Sequence, residues 1–440
     1  MARTPSIDIR GELSSLVPAR RLTELAQETG AVRRNRKIKI VDLFWTLVLG
    51  FGTGKEKTFA GLQRLYEVGA RQQVVPSSFW DRFTPALARF VKRVAEEVMA
   101  RVCEASTELQ GSLEGFRDLI VTDSTVIRLH KLLERAYAAC RTNHTKAAAK
   151  LHVVMSVLAQ GPRRVKLTSE RVHDRKALKV GPWVKDRLLL FDLGYYSFQL
   201  FDCIRRNGGF FISRLKENAN LKIVDVHPSR PGDKGLVGRM LQDVIFGLKR
   251  DLLDVVVEVR FSRRTYAGTR SPGRQRFRVV GVRDRQTNEY HLYITNVPIE
   301  RLDAEAVAAT YRARWAVELL FAEWKGGYGL DDIPTQKKEA VEVFIWTSVI
   351  TLLASRRLLD AVRTKLREVA HRISPTRWAR VFQTYVPTIL QVLLAPPRYG
   401  RYLASAIEAS ILHEAVDPHV NRPGLVLQTQ KGTLPYLVRT

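Results

Sequence analysis

Two short, predominantly apolar runs, each followed at once by an aspartate, constrain the fold of this 440-residue chain more than any other feature. Residues 118–122 (DLIVT) lead to Asp123, and residues 188–191 (LLLF) lead to Asp192. Strands that are apolar on both faces belong at the centre of a sheet that is covered on both sides. Together with further strand and helix patterns over residues 118–215, in the order β, β, β, α, β, α, β, these runs predict an α/β fold.

The two aspartates are the first candidate functional residues. An ionised carboxylate at the end of a buried strand is costly unless a cation or an arginine offsets its charge. If the two strands are neighbours, Asp123 and Asp192 converge, and two like charges at close range require a divalent cation. The alternative is that each aspartate only ends its strand at a turn.

A third candidate lies in the pattern YRARWAVELLFAEWKGGYG, part of a long helix that we predict to begin at Asp303. At about 100° per residue, one narrow stripe of this helix is polar. The stripe consists of Tyr311, Arg314, Glu318 and Lys325. Glu318 can complete an acidic cluster, while Arg314 and Lys325 can bind phosphate oxygens. The alternative is that the stripe is simply the solvent face of the helix.

Other side chains of this helix are assigned different roles. We expect Trp315, Leu319 and Phe321, which lie off the stripe, to pack the helix against the core. Glu323 lies about 120° from Tyr311 around the helix axis, and we therefore reject it as a ligand.

These residues, taken together, resemble a known family. A strand-borne Asp, a second strand-borne Asp and a helical Glu within Y-(2)-R-(3)-E-(6)-K are similar to the DDE transposases of bacterial insertion sequences, and more narrowly to the insertion sequence 4 family. The contexts TDSTVIRLH, KLHVVMSVL, FDLGYYSFQLF and FFISRLK agree with this resemblance, which covers roughly residues 115–335.

The resemblance implies an RNase H-like catalytic core that is interrupted by a β-rich insertion. It implies that Asp123, Asp192 and Glu318 bind two Mg²⁺ ions, for which Mn²⁺ can substitute, and catalyse cleavage and strand transfer. It also implies that Tyr311 joins Arg314 and Lys325 in holding DNA phosphates near the transposon end.

The same reasoning divides the chain into regions. Residues 1–112 are expected to form a helical DNA-binding region, and residues 113–216 and 301–340 the catalytic core. Residues 217–300 are expected to form the β-rich insertion. Residues 341–440 are expected to be helical and to contribute to dimerisation, because the reaction must pair two DNA ends.

The charge balance indicates the partner. The chain has 72 Lys and Arg against 44 Asp and Glu, a formal net charge of +28. Such an excess favours nucleic acid, here the terminal inverted repeats and the target DNA, because each neutralised phosphate releases condensed counterions. An anionic membrane surface is the rival, but the longest apolar run, residues 343–354, is shorter than the roughly 20 residues that a bilayer requires.

Three widely spaced cysteines and the lack of a signal-peptide pattern lead us to expect a cytoplasmic, nucleoid-associated protein.

The insertion carries a separate signal for DNA. Residues 260–285 hold nine arginines and one acid, with Tyr266 and Phe277 interleaved. Arginine forks match phosphates, and aromatic rings can stack on unpaired bases. The arginines assigned to DNA are Arg263, Arg264, Arg274 and Arg276. Some related enzymes hold a flipped base with a Trp of the insertion; residues 185–314 contain none, and Tyr266, Phe277 or Tyr290 are the possible replacements.

Several weaker signals are set aside. The basic cluster of residues 33–37 is either a solvated linker or a DNA contact. His173-Asp174 is interpreted as a strand-end turn, and His152 as a structural or DNA-proximal residue. Two other functions stay open, a catalytically inactive DNA-binding relic of a transposase and a cellular RNase H-like nuclease.

Overall fold

The structure is a computed structural model, and it describes residues 6–32, 38–103, 108–140, 145–227, 233–263, 271–284, 286–331 and 333–431. The basic cluster of residues 33–37, Arg264 and Tyr266 lie outside the described residues.

A single nine-stranded sheet forms the centre of the molecule, in the order β3-β2-β1-β4-β5-β9-β8-β7-β6. Its strands are β1 (Asp118–Leu129), β2 (Ala147–Ser156), β3 (Gly161–Ser169), β4 (Arg187–Phe191), β5 (Phe210–Arg214), β6 (Lys222–Val226), β7 (Leu252–Ser262), β8 (Pro272–Arg283) and β9 (Tyr290–Thr295).

The first five strands have RNase H-like topology. β1, β2 and β3 form an antiparallel meander, whereas β4 and β5 add to β1 in parallel. β4, which lies between β1 and β5, is short and completely buried, as its near-continuous apolar sequence predicts. The predicted α/β class with an RNase H-like core is therefore confirmed.

Strands β6–β9 come from residues 217–300 and extend the core sheet rather than forming a separate sheet. β9 pairs antiparallel with β5, and β8, β7 and β6 follow in turn. Arg278 on β8 joins this extension to the core. Its guanidinium contacts both carboxylate oxygens of Asp254 at 2.8 and 2.5 Å and donates to the carbonyl of Leu302 at 2.6 Å.

Alternate residues of the sheet enter two different hydrophobic clusters. Val121 of β1 and Leu190 of β4 belong to a large cluster that the surrounding helices complete. Ile120 and Leu189, which point the other way, belong to a smaller cluster shared with β7 and β8. This alternation decides the face on which each functional side chain lies.

Fifteen helices are found in the described residues. Six precede the sheet, three lie between its strands and six follow it. They are α1 (Ile9–Leu16), α2 (Ala19–Glu28), α3 (Ile40–Thr46), α4 (Phe59–Ala70), α5 (Pro76–Trp80), α6 (Pro85–Cys103), α7 (Asp174–Ala177), α8 (Phe198–Arg206), α9 (Leu241–Gly247), α10 (Ala304–Tyr311), α11 (Trp315–Gly327), α12 (Lys338–Lys365), α13 (Pro375–Leu394), α14 (Pro397–Ala415) and α15 (Leu425–Gln430).

α12 is the centre of the helical part of the molecule. Its side chains are buried around most of its circumference, and it packs against α6. A helix that is apolar all round belongs inside a core. The apolar pattern of residues 343–354 is therefore satisfied within this chain, and α12 does not offer its apolar face to a second copy. No helix in the described ranges is long and apolar enough to cross a membrane.

Two local predictions are wrong. β1 does not end before Asp123 but continues to Leu129, because β2 pairs with it along its whole second half. The long helix predicted from Asp303 is divided by a 3₁₀ turn, Arg312–Arg314, into α10 and α11. Asp303 does cap α10, since its carboxylate accepts a hydrogen bond from the backbone of Ala306.

The buried ion pair of Arg278 provides a test of how the extension is held. Arg278→Ala leaves Asp254 charged and almost buried, so we expect a loss of about 3 kcal/mol in the free energy of unfolding, measured by urea denaturation. Arg276→Ala, two residues earlier on the same strand and exposed, is the control and should change it by less than about 0.5 kcal/mol. Equal effects of the two substitutions would contradict this role of Arg278.

Candidate active site

The register of the parallel strands brings Asp123 and Asp192 together. Leu190 of β4 is paired with Val121 on one side and with Ile212 on the other. Two residues further along the same three strands come Asp123, Asp192 and Arg214. Because the strand period is two, all three share the face of Val121, Leu190 and Ile212. The carboxyl ends of the parallel strands thus carry two acids and an arginine at one edge.

Each aspartate is held by a local backbone contact. β4 stops at Phe191, so β1 continues past Val121 without its β4 neighbour, and Asp123 lies in the space that this leaves. Its carboxylate accepts a hydrogen bond from the backbone of Ser124 at 2.7 Å. The Asp192 carboxylate accepts one from the backbone of Gly194, in the 3₁₀ turn that follows β4.

Helix α11 lies against β1 and brings Glu318 to the same place. Glu318 is in the first turn of α11 and lines one open pocket together with Asp123 and Asp192. The three carboxylates selected from the sequence are therefore assembled from β1, the end of β4 and α11.

Tyr311 fixes the approach of this helical segment to the sheet. Its hydroxyl donates a hydrogen bond to the carbonyl of Phe191 at 2.9 Å, directly before Asp192. Burial raises the pKa of Tyr311 to about 12, so the hydroxyl keeps the proton that it donates. This contact makes Tyr311 a positioning residue for the second aspartate.

The pocket has a volume of about 370 Å³, and its wall is of mixed charge. Three arginines and a histidine face the three acids, namely Arg214, Arg312, Arg314 and His291. Carboxylates opposite guanidinium groups are what a site for a metal-bound phosphate requires, since the acids attract cations and the arginines attract phosphate oxygens.

The electrostatics of Asp123 reflect this crowding. Burial, followed by the negative charges of Asp192 and Glu318, raises the pKa of Asp123 to about 6, against the opposing effects of the Ser124 amide and Arg314. The charged form of this carboxylate is thus disfavoured, and a bound cation would relieve that cost.

Glu318 is not directed at the aspartates. Its carboxylate is 2.7 Å from the guanidinium of Arg314, one helical turn earlier. Within the described ranges, no group of three or more His, Cys, Asp or Glu side chains is arranged to hold a metal ion. The acids share a pocket, but the third one is paired with an arginine of its own stripe.

Lys325 lies outside this pocket. Its ammonium is 3.3 Å from the carbonyl of Val126 and 3.3 Å from the carboxylate of Asp331. It is therefore attached to β1 three residues beyond Asp123. Glu323 was rejected as a ligand because of its angle around the helix axis. It forms a buried ion pair with Arg356 at 2.5 Å, away from the acids.

The expectation that Trp315 and Leu319 pack the helix down is wrong. Their exposed fractions are 53% and 46%, whereas Phe321 is buried as expected. Within α11, 100° per residue puts Trp315 and Leu319 on the side opposite the buried residues Ala316, Leu320 and Trp324, on which the helix rests. The side chains on either side of Glu318 are consequently apolar and open to solvent.

The arginines of the extension differ in their exposure and in their partners. Arg274 and Arg276 are exposed on β8, and Arg263 is 4.0 Å from Asp202. Arg274 pairs with Glu258, an acid just outside the window that the sequence count used. Arg278 is structural, as described above. The positive charge of this surface is therefore smaller than the count of nine arginines suggested.

The aromatic residues proposed to stack on bases have different environments. Phe277 is buried with its ring edge-on to those of Phe201 and Phe211, so it is not available to stack on a base. The Tyr290 hydroxyl donates to the carbonyl of Arg250, and its ring lies under the guanidinium of Arg283.

Sequence reasoning missed several residues that line or support the pocket. Arg214 could have been found, because it follows the apolar run of β5 at the edge where Asp192 follows that of β4. His291 and Arg312 depend on the pairing of β9 with β5 and on the 3₁₀ turn, which no local pattern signals.

Asp174 belongs to a network behind the first aspartate. Its carboxylate is 3.1 Å from His152 and 3.5 Å from Lys150, and it hydrogen-bonds with Ser124. Although burial opposes the effect, these partners lower the pKa of Asp174. His173-Asp174, interpreted from the sequence as a strand-end turn, instead begins α7, with His173 as its N-cap, and that interpretation leaves out this network.

The raised pKa of Asp123 has a measurable consequence for stability. Above pH 6 the folded protein holds a disfavoured charge, so Asp123→Asn should raise the free energy of unfolding by about 2 kcal/mol at pH 8 in EDTA. As the pH falls from about 6 towards 3.8, the folded carboxylate takes up its proton and the difference should close. The difference in stability between the two proteins is measured by thermal denaturation at pH 8 and at pH 3.8.

The control for this comparison is Glu305→Gln, which removes an exposed carboxylate from α10. It should leave stability nearly unchanged at both pH values. If the wild type and Asp123→Asn are equally stable at pH 8, the charged form of Asp123 is not disfavoured in the folded protein.

The chain is similar in sequence to known proteins over most of its length. Over 384 residues the chain is 22% identical to the transposase for insertion sequence element IS1151 of Clostridium perfringens, covering 79% of this chain and 80% of that protein. It is 22% identical over 399 residues to the transposase for insertion sequence element IS231F of Bacillus thuringiensis subsp. israelensis, covering 81% and 80%.

The chain also matches a cryo-EM structure of the piggyBac transposase synaptic complex with hairpin DNA. The match covers 94% of this chain and 86% of that chain, at 10% sequence identity and a TM-score of 0.48. Residues 114–354, more than half of the chain, match the family described as the transposase DDE domain. The chain belongs to this transposase family.

Proposed function

We propose that this chain catalyses DNA transposition by cutting DNA at the ends of its element and joining those ends to target DNA, with Asp123, Asp192 and Glu318 as the catalytic carboxylates. The observation that carries the proposal is that these three acids, from three separate elements, line one pocket that also holds arginines. No observation favours an inactive relic or a cellular nuclease.

Members of this family use divalent metal ions. The chain's own residues fit such ions, because three carboxylates share a pocket and burial already disfavours the charge of Asp123. Asp123, Asp192 and Glu318 would hold two Mg²⁺ ions, with Mn²⁺ as a substitute. When bound, the ions supply activation of the attacking hydroxyl and stabilisation of the leaving oxygen.

Glu318 would hold a cation through Oε2, or through both carboxylate oxygens if it gave up the 2.7 Å contact of Oε1 with Arg314. Arg314 lines the same pocket, so its guanidinium would be placed to hold the oxygens of a phosphate bound there. Metal binding and phosphate binding would in this way share one ion pair.

Lys325 and the arginines of the extension are proposed to bind DNA further from the reacting phosphate. Lys325 lies beside β1 and is about a third exposed, and Arg263, Arg274 and Arg276 extend along the end of the β7–β8 hairpin. Arg264 completes this set in the proposal, although it lies outside the described residues. Their side chains would neutralise DNA phosphates.

Two chains are proposed to act together on paired DNA ends. Since α12 is inside the core, the contact is assigned to the outer face of α14, which is largely exposed. The helical region of residues 1–112 is proposed to contribute DNA binding, and association with the nucleoid would follow from the net charge of +28.

Glu318→Gln tests the catalytic assignment. The amide is nearly isosteric but is a poor ligand for Mg²⁺, so we expect cleavage of an end-containing duplex to fall by at least about 100-fold while DNA binding is retained. Glu305→Gln is the matched control and should cleave like the wild type. Cleavage by Glu318→Gln at the wild-type rate would remove Glu318 from the mechanism.

Tyr311→Phe separates two roles for the tyrosine. If its hydroxyl positions Asp192, its loss should slow cleavage roughly 5- to 10-fold, as expected for one hydrogen bond, with no change in DNA affinity. A direct phosphate contact would instead weaken binding and reduce its salt dependence. Single-turnover cleavage and a salt series of binding measurements distinguish these outcomes.

Arg276→Ala tests the DNA surface of the extension. Loss of one phosphate contact should weaken binding several-fold and reduce the slope of log affinity against log salt by about 1, whatever the DNA sequence. The variant should keep its stability, because Arg276 is exposed. An unchanged slope would show that Arg276 does not contact a DNA phosphate.

A further inference from the structure

A cavity of about 450 Å³ lies on the other face of the sheet from the three acids. Thr122 of β1 lines it, and Thr122 points away from the face of Asp123 because neighbouring residues of a strand alternate. Across the sheet Thr122 is paired with Val154, and Val154 with Arg164 on β3. The end of α6 and the segment around α7 close the cavity from outside.

The lining of this cavity is strongly positive. Among the described residues, four cations line it against a single acid, Glu96; the cations are Arg163, Arg164, Lys166 and Lys179. Burial, followed by repulsion from Arg163, lowers the pKa of Arg164. Such a lining favours an anionic ligand.

Buried polar atoms face the same space. Thr122 is 1% exposed, and its hydroxyl has no hydrogen-bond partner among the described residues. His152, 6% exposed, bonds through Nε2 to the Thr168 hydroxyl at 2.9 Å, and its Nδ1 lies 3.1 Å from the carboxylate of Asp174. Buried polar groups are normally satisfied, so an unsatisfied hydroxyl in a cavity indicates a polar ligand.

The remaining wall suits a flat ring. Met99, Leu178 and Trp183 supply apolar surface, and the indole of Trp183 is fixed by a hydrogen bond to the carbonyl of Lys179 at 3.0 Å. The guanidinium of Arg164 lies 5.2 Å from the centre of the indole ring. An aromatic ring beside arginine is a typical environment for a nucleobase and its phosphate.

We propose that this cavity binds one phosphorylated nucleoside. Its base lies against Met99, Leu178 and Trp183 within reach of the Thr122 hydroxyl, and its phosphate lies at Arg164 and Lys166. The volume is in the range of sites for small ligands and is too small for duplex DNA. The nucleotide is either free or an unpaired unit of a DNA strand. This site does not depend on the proposed catalytic acids.

Binding is measured by titration calorimetry on the full chain at low salt, with dAMP, dTMP, inorganic phosphate, a short oligo(dT) strand and a duplex as probes. We expect a nucleotide or the oligo(dT) strand to bind at least 10-fold more tightly than inorganic phosphate. The double variant Arg164→Gln/Lys166→Gln should lose at least 10-fold in affinity for that probe. The control, Lys222→Gln/Arg260→Gln, removes two exposed cations of β6 and β7 and should bind like the wild type.

A second readout locates the ligand in this cavity. Cys103 lines the cavity, and burial raises the pKa of its thiol to about 11. Alkylation of this thiol is therefore slow near neutral pH and is measured at alkaline pH. In a variant with Cys140→Ser and Cys203→Ser, the bound nucleotide should slow Cys103 modification several-fold. If mononucleotides protect Cys103 from modification, the ligand is a free nucleotide. If only oligo(dT) protects Cys103, the ligand is an unpaired nucleotide of a DNA strand.

Thr122→Val tests the buried hydroxyl without removing a charge. It should weaken nucleotide binding while leaving the weak binding of inorganic phosphate unchanged. Inorganic phosphate that binds as tightly as the nucleotide overturns the nucleoside assignment. Unchanged affinity in the double variant, or no protection of Cys103, overturns the site itself, whatever the outcome for Glu318→Gln.

Discussion

The parallel pairing of β1, β4 and β5 is the constraint on which the rest of the structure depends. Pairing Leu190 with both Val121 and Ile212 brings Asp123, Asp192 and Arg214 to one edge and one face. A slip of one residue would turn any of these side chains to the opposite cluster. The buried apolar runs that enforce the register therefore also determine where charge accumulates.

The surrounding structure holds this edge by specific polar contacts. Tyr311 attaches the helical segment to the last carbonyl of β4, and Arg278 attaches the sheet extension to the residues that lead into α10. The helices bury their apolar surface mainly around α12. The carboxylates are thus carried by elements that packing and these polar contacts hold in place, and Glu318 is paired with Arg314.

Local sequence patterns predicted much of this arrangement and failed for identifiable reasons. The apolar runs before Asp123 and Asp192 and the spacing from Tyr311 to Lys325 identified residues that line or adjoin one pocket. The exposure of Trp315 was missed because the face on which α11 packs is set by its tertiary contacts, and the burial of Phe277 because its cluster forms only when β8 packs beside β5 through β9. Arg278 and Arg276 are chemically alike in the sequence, yet one is buried and the other exposed.

The sequence by itself determined the α/β class and the excess of positive charge, because these follow from periodicity and composition, and the resemblance to a family motif singled out the three carboxylates. Only the tertiary structure decided that Glu318 pairs with Arg314, that Arg214 and His291 face the acids, and that α12 is internal. It alone also showed the cationic cavity behind Thr122. The reason is that these features join residues far apart in the chain, whose proximity depends on strand order and packing.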